Sequence, residues 1–322
     1  MSRRLGIVVL LSCLGLLVGS CGSGGSSSLS PDMRASPETF SFLADVIVNG
    51  HVNLVRVSST NAIVKKETIA INLLAAPLVD LGSKVLVRVP GGAGCPGQVV
   101  LEPGGSFFST TESTTNSLGI VGFSGDVGLG VTSFCPIANP MNPIYGYVFT
   151  NESGKVIGSL GAGSFLPVAF GGVGHNLILG WEKSGAGVAQ FFERRLNGTT
   201  LGIATEILPT RGCIFDGFPT FVPDSNEALI PAKCSSNVRQ IAIESISPFA
   251  KVAKLNLFVT LPSVCKAATG SVRLSDDPNN GLLVSTVANF GNFHQAGWVE
   301  LVPQKGAAKL VSSNMFNAIW SA

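Results

Sequence analysis

Apolar residues along this chain come in short runs, alternating or continuous, rich in Val, Ile, Phe and Thr, and each run is closed by Gly, Pro, Asn or Asp. Amphipathic helices would show apolar positions every three or four residues, and that period is almost absent. The pattern instead predicts strands joined by tight turns. Strands are expected over 52–57, 84–89, 127–134, 176–181, 228–232, 282–287 and 297–302. The glycine-rich stretches 91–94 and 171–174 fit hairpin turns. Strands spaced like this over some 270 residues predict a sandwich, a barrel or a propeller.

An internal repeat narrows the choice. Cys213 and Cys265 lie 52 residues apart, and each is followed by a glycine, Gly217 and Gly270, and then a strand. Asp224 and Asp277 lie 53 apart in turn sequences, and five residues after each comes an apolar pair, Leu229-Ile230 and Leu282-Leu283. The segments 144–160, 188–208, 238–259 and 295–312 each have a strand-turn-strand shape. Each unit therefore holds about four strands. Residues 40–313 divided among six units give about 46 residues each, within the range of propeller blades. The expected fold is all-β, a single β-propeller of about six four-stranded blades over 40–313, with 314–322 as a C-terminal tail. Two β-sandwich domains joined near 160–170 are the alternative.

The turn Val222-Pro223-Asp224-Ser225-Asn226 before its apolar pair resembles the blade hairpins of TolB-like bacterial propellers. The segment from Arg194 to Gly202 is similar to a strand-turn-strand unit common in such repeats. The tryptophan-docking repeat of quinoprotein-like propellers is not visible, with only Trp181, Trp298 and Trp320 in the chain.

The N-terminus departs from this pattern. Arg3 and Arg4 precede a largely apolar stretch, 5–18, too short to cross a bilayer core, which takes about 20 residues. Val18-Gly19-Ser20-Cys21 follows and resembles the lipobox of bacterial lipoproteins. The resemblance implies cleavage after residue 20, acylation of Cys21 and attachment to a membrane. Gly22 next to Cys21, where an inner-membrane retention signal would have Asp, implies the outer membrane if the host has two. Residues 21–39 then form a Gly/Ser-rich tether, with a span of ~23 Å for its last 18 residues.

Removing residues 1–20 takes away two arginines and no acids, leaving 21 − 2 = 19 basic against 19 acidic side chains. That balance argues against nucleic acid, which needs a basic stripe. The mature chain contains no apolar run long enough for a transmembrane helix. Five cysteines remain besides Cys13 and Cys21: Cys95, Cys135, Cys213, Cys234 and Cys265. In an oxidising envelope compartment they predict disulfides, with at least one thiol unpaired in the monomer. With strands a to d in each blade, the b–c hairpins and the d–a connections emerge on one face. Cys95, Cys135 and Cys234 fall at b–c hairpins, Cys213 and Cys265 at d–a connections. Cys213 with Cys234 is the first pairing expected, Cys95 with Cys135 the second, leaving Cys265 free.

Candidate chemistry is sparse. The three histidines, His51, His175 and His294, show no metal spacing, and there is no Cys-x-x-Cys, so neither a metal nor a cofactor is expected. No Gly-x-Ser-x-Gly elbow or phosphate loop occurs. Asp126, Asp224, Asp276 and Asp277 sit where turns need aspartate. Pro278 takes a position where a calcium loop would need an oxygen ligand. Asp216, with Arg211 nearby in a connection between units, is the candidate for a ligand-facing loop. Taken together, the chain reads as a non-catalytic binding or scaffolding propeller of the cell envelope, its partner a glycan or another envelope protein. The alternative is a propeller hydrolase acting on polysaccharide or peptidoglycan. Three carboxylates converging on one cavity would favour the hydrolase; a mouth of Gly, Ser and apolar groups would favour binding.

Overall fold

The computed structural model describes residues 41–48, 51–58, 63–68, 76–80, 85–90, 96–101, 117–124, 127–133, 145–151, 156–183, 188–234, 240–260, 272–287, 297–304 and 308–320. These residues form strands and turns, with no helix among them.

The described strands assemble into six sheets, antiparallel except for one parallel pair. β1 (Ser41–Val48), β2 (His51–Ser58) and β3 (Ile63–Thr68) form one sheet with the last strand of the chain, β26 (Met315–Trp320). β4 (Ala76–Asp80), β5 (Val85–Pro90) and β6 (Pro96–Leu101) form the second. The third is β7 (Ser117–Ser124), β8 (Val127–Ser133), β9 (Tyr145–Thr150) and β10 (Val156–Gly163). The fourth is β11 (Leu166–Gly171), β12 (Leu177–Lys183) and β13 (Ala189–Asn197), with β14 (Thr200–Leu201) and β15 (Thr205–Glu206) both on β13. In the fifth, β16 (Ile214–Phe215) and β18 (Thr220–Phe221) share the edge of β19 (Ala228–Lys233), followed by β20 (Gln240–Ile246) and β21 (Lys254–Thr260). The sixth is β22 (Val272–Asp277), β23 (Gly281–Thr286), β24 (Val299–Val302) and β25 (Lys309–Ser312), and β17 (Gly217–Phe218) joins it as a parallel strand on β22.

The innermost strands β26, β4, β7, β11, β18 and β22 touch in succession and return to β26, which makes the molecule a β-propeller. Two sandwich domains would not close such a ring, so that alternative falls. The blade count differs from the expected six four-stranded units. Among the described residues five sheets have four or five strands and form complete blades, and the β4–β6 sheet has three.

The core lies between blades. Leu129, Val131, Tyr147 and Leu160 pack on Phe165, Phe170 and Ile178 of the next blade. Leu179 and Phe191 pack on Ile230 and Ile246, Ile243 and Val259 on Val284 and Trp298, and Leu283 and Val299 on Phe42, Val55 and Trp320. This explains the apolar pairs. Ile230 enters the interface behind its blade and Leu229 the one ahead, so both faces of the strand are covered and the run is continuous rather than alternating.

Residues 314–322, which the sequence presented as a tail, contain β26, and this strand closes the ring. Its backbone pairs with β1, while Ala318 N–H donates to Ser285 Oγ at 3.0 Å and Trp320 Nε1 donates to Gly281 O at 2.9 Å. First and last strands of the chain thus complete one blade and dock it on its neighbour.

Candidate functional site

Antiparallel alternation sends the d–a connections and b–c hairpins to one face of the ring and the a–b hairpins to the other. On the first face Cys213, before β16, is bonded to Cys234, after β19, with an S–S distance of 2.04 Å. This is the pairing expected first. Beneath it lies Glu244 of β20, fully buried, whose two carboxylate oxygens each accept the Thr210 N–H at 3.2 Å. Cys234 Sγ stands 3.9 Å from Glu244 Oε1. Cys213, Cys234 and Glu244 are the cluster among the described residues whose atoms converge closely enough for a metal, but the disulfide engages both sulfurs. Cys95, Cys135 and Cys265 lie outside the described residues, as do Cys21, Asp126 and His294 and the side chain of His51.

Arg211 is exposed in the turn closed by Cys213 N–H on Thr210 O at 2.9 Å. Asp216 pairs with Lys233, Nζ to Oδ2 3.4 Å, rather than with Arg211. Its backbone N–H donates to Pro231 O at 2.9 Å and its carbonyl accepts from Val272 N–H at 3.5 Å. Asp216 therefore tethers the connection to its own blade and the next.

On the opposite face two neighbouring a–b hairpins, 171–176 and 221–227, enclose a cleft of about 600 Å³. Its apolar lining includes Phe170 and Phe221, and its polar lining Thr220, Ser225, His175 and Asp224. The hairpins are tied by Val173 N–H donating to Asn226 Oδ1 at 2.7 Å. Gly172 makes this approach possible: at φ 82° a side chain is strained, and a Cβ would stand 2.8 Å from Asn226 Oδ1. His175 and Asp224, at φ 52° and 53°, occupy the left-handed region that turns reserve for Asn, Asp, His and Gly.

Asp224 and Asp277 both belong to a–b hairpins but at different points: Asp277 pairs with Gly281 at the end of β22, and Asp224 stands in the loop beyond the pair Phe221↔Ala228. Asp277 Oδ1 accepts from Asn279 N at 2.9 Å, Asn280 N at 2.8 Å and Asn280 Nδ2 at 2.9 Å, a turn-capping role. The Asp224 side chain is exposed at the cleft and accepts no hydrogen bond among the described residues.

Four carboxylates missed in the sequence, Asp45, Glu193, Glu244 and Glu300, are buried within the blades and do not line the cleft. Glu193 accepts Phe249 N–H at 3.4 Å, and burial holds its carboxyl above the ordinary range. Burial pushes Glu300 up to about 7. A signal did exist. Glu244 and Glu300, 56 residues apart, each sit in the third strand of a blade, close to the repeat spacing.

No protein-family model and no curated protein matches the sequence. Among solved structures the chain is similar to a mutant Aleuria aurantia lectin in complex with α-methyl-L-fucoside, at 9% identity and TM-score 0.49, covering 85% of this chain and 91% of that one. It is similar to a putative TolB from Agrobacterium tumefaciens at 10% identity and TM-score 0.49, covering 88% and 99%. It also matches a putative 6-phosphogluconolactonase from Bacteroides uniformis at 12% identity and TM-score 0.43, covering 87% and 83%. Similarities of this size carry no argument about ligand or activity.

Proposed function

We propose that this is a lipid-anchored propeller of the bacterial envelope that binds a glycan, without transforming it, in the cleft between the 171–176 and 221–227 hairpins. The observation that carries the reading is the cleft's lining. Two hydroxyls, one imidazole and one exposed carboxylate share the lining with Phe221, Val173, Val222 and Pro223, polar and apolar groups together, which suits a ligand that offers both hydroxyls and C–H groups. Glycoside hydrolysis usually takes two carboxyl groups flanking the bond, and Asp224 is the single carboxylate of this lining. The tether follows from the signal sequence and Cys21, which would hold the propeller near the envelope polymers it binds.

Calorimetric titration with soluble envelope oligosaccharides tests the reading. Wild type is expected to bind, and Asp224→Ala to bind at least about tenfold more weakly, the loss of one charge-assisted hydrogen bond. Absence of glycan binding, or release of shortened products by wild type, would overturn it. Intact-mass measurement of the membrane form tests the anchor: it should lack residues 1–20 and carry acyl mass on Cys21.

A further inference from the structure

The seam that closes the ring holds a buried acid and a buried amide. β26 carries an extra residue opposite β1, a bulge between the pairs Leu43↔Ile319 and Asp45↔Phe316. Asn317 lies at this bulge with φ 53°, a conformation that asparagine tolerates better than most residues. Asp45 is 0% and Asn317 2% exposed. Asn317 Nδ2 donates to Asp45 Oδ2 at 2.8 Å. The other carboxylate oxygen of Asp45, Oδ1, and the single side-chain oxygen of Asn317, Oδ1, are both buried without any hydrogen-bond partner.

Those two orphan atoms belong to the same pair. With Asp45 ionised, both are acceptors, and neither can satisfy the other. An unmet buried acceptor is costly, and an unmet charged one more so. A single proton on Asp45 Oδ1 removes both faults. A carboxylic acid and a primary amide are complementary: the acid O–H donates to the amide carbonyl while the amide N–H donates to the acid carbonyl.

We propose that Asp45 carries a proton in the folded protein and forms with Asn317 a two-bond acid–amide ring that fastens the first strand of the propeller to the last. The proton comes from solvent, and no other protein group changes charge. Desolvation also acts in this direction and raises the Asp45 carboxyl well above its ordinary range, opposed first by the hydrogen bond from Asn317 and then by the Arg273 guanidinium of β22. The sheet register gives the positions of further ionisable residues on the neighbouring strands. Arg56 of β2 faces Leu43, one pair along the same face, and Lys65 of β3 faces Arg56. Glu67 of β3 continues the row Asp45–Leu54. β4, which packs on β1 and β26, ends in Asp80. β23 has no ionisable residue, and Glu300 of β24 lies two positions from Trp298, on the sheet face that packs toward the β16–β21 blade.

The latch ties closure of the ring to pH. A carboxyl raised in the folded state contributes stability that is complete below its unfolded value, here 3.8, and is lost as pH rises to the folded value. Thermal unfolding of the full-length protein from acid to alkaline pH, for wild type and Asp45→Asn, tests it. The variant replaces the acid O–H by an amide N–H, so it keeps a two-bond ring and loses the titration. Wild type is expected to lose stability as pH rises, and the variant to lack that component; Glu300 contributes equally to both and cancels. Parallel pH curves would overturn the proposal. Should the variant fail to fold, the assigned carboxyl carbon of Asp45 in wild type decides by NMR titration. A resonance that stays in the protonated position while exposed aspartates ionise supports the latch, and one that ionises with them refutes it.

Discussion

Single carboxylates in this propeller are distinguished by what surrounds them rather than by their place in the repeat. Asp277 and Asp224 correspond in the sequence repeat, but Asp277 caps its turn and Asp224 stands open at the cleft. Asp277→Ala should therefore cost about 1 kcal/mol of stability, measured by denaturant unfolding, whereas Asp224→Ala should stay within about 0.5 kcal/mol and act on binding instead. Glu300 is 4% exposed and its Oε2 has no partner. Because its folded value of about 7 lies above the ordinary value of 4.5, it adds stability below the latter that is lost as pH rises through the former. Glu300→Gln should flatten that part of the thermal-stability profile and leave the protein more stable than wild type at alkaline pH.

At the scale of elements, the blades depend on close approaches that side chains would block. A Cβ on Gly180 of β12 would press on the Leu166 carbonyl and stand 2.6 Å from the Phe165 ring. Gly180→Ala should cost about 1–3 kcal/mol, read as a lower urea midpoint with an unchanged slope. Gly217 has φ 150° and lies against the Val272 carbonyl, where β17 leaves its own blade to pair with β22 of the next. The Cys213–Cys234 bridge ties the incoming connection of that blade to its b–c hairpin, closing a loop with a sequence separation of 21. Loop-closure entropy gives such a bridge ~3 kcal/mol. Cys213→Ser with Cys234→Ser should lower stability by about that amount, and reductant should do the same to wild type and nothing further to the double variant.

For the whole molecule, the decisive element is the last one. β26 supplies the innermost strand of a blade whose other strands come from the N-terminus. A chain ending before Met315 would leave the edge of β1 unpaired and the closing core, with Phe42, Val55 and Val299, open on one side. Such a truncation should fail to give a cooperative unfolding transition and should elute as aggregate in size-exclusion chromatography.

Strands such as β19 and β23 and turns such as 222–226 were legible in the sequence alone, because turn residues and apolar runs act locally. The Pro-Asp turn and the pair Leu229-Ile230 identify a hairpin whatever lies around it, and Cys213 and Cys234 follow from the strand order that such hairpins impose. The role of residues 314–322 was not legible, since β26 becomes a strand by pairing with β1, about 270 residues away in the chain. The cleft was hidden for the same reason. Its two hairpins are separate in sequence, and the Val173 to Asn226 bond that joins them spans 53 positions. Buried Asp45 looks like any strand aspartate until tertiary packing strips its water and sets Asn317 against it. Local pattern sets which residues can turn or extend; only long-range packing decides which polar groups lose solvent and what they meet instead.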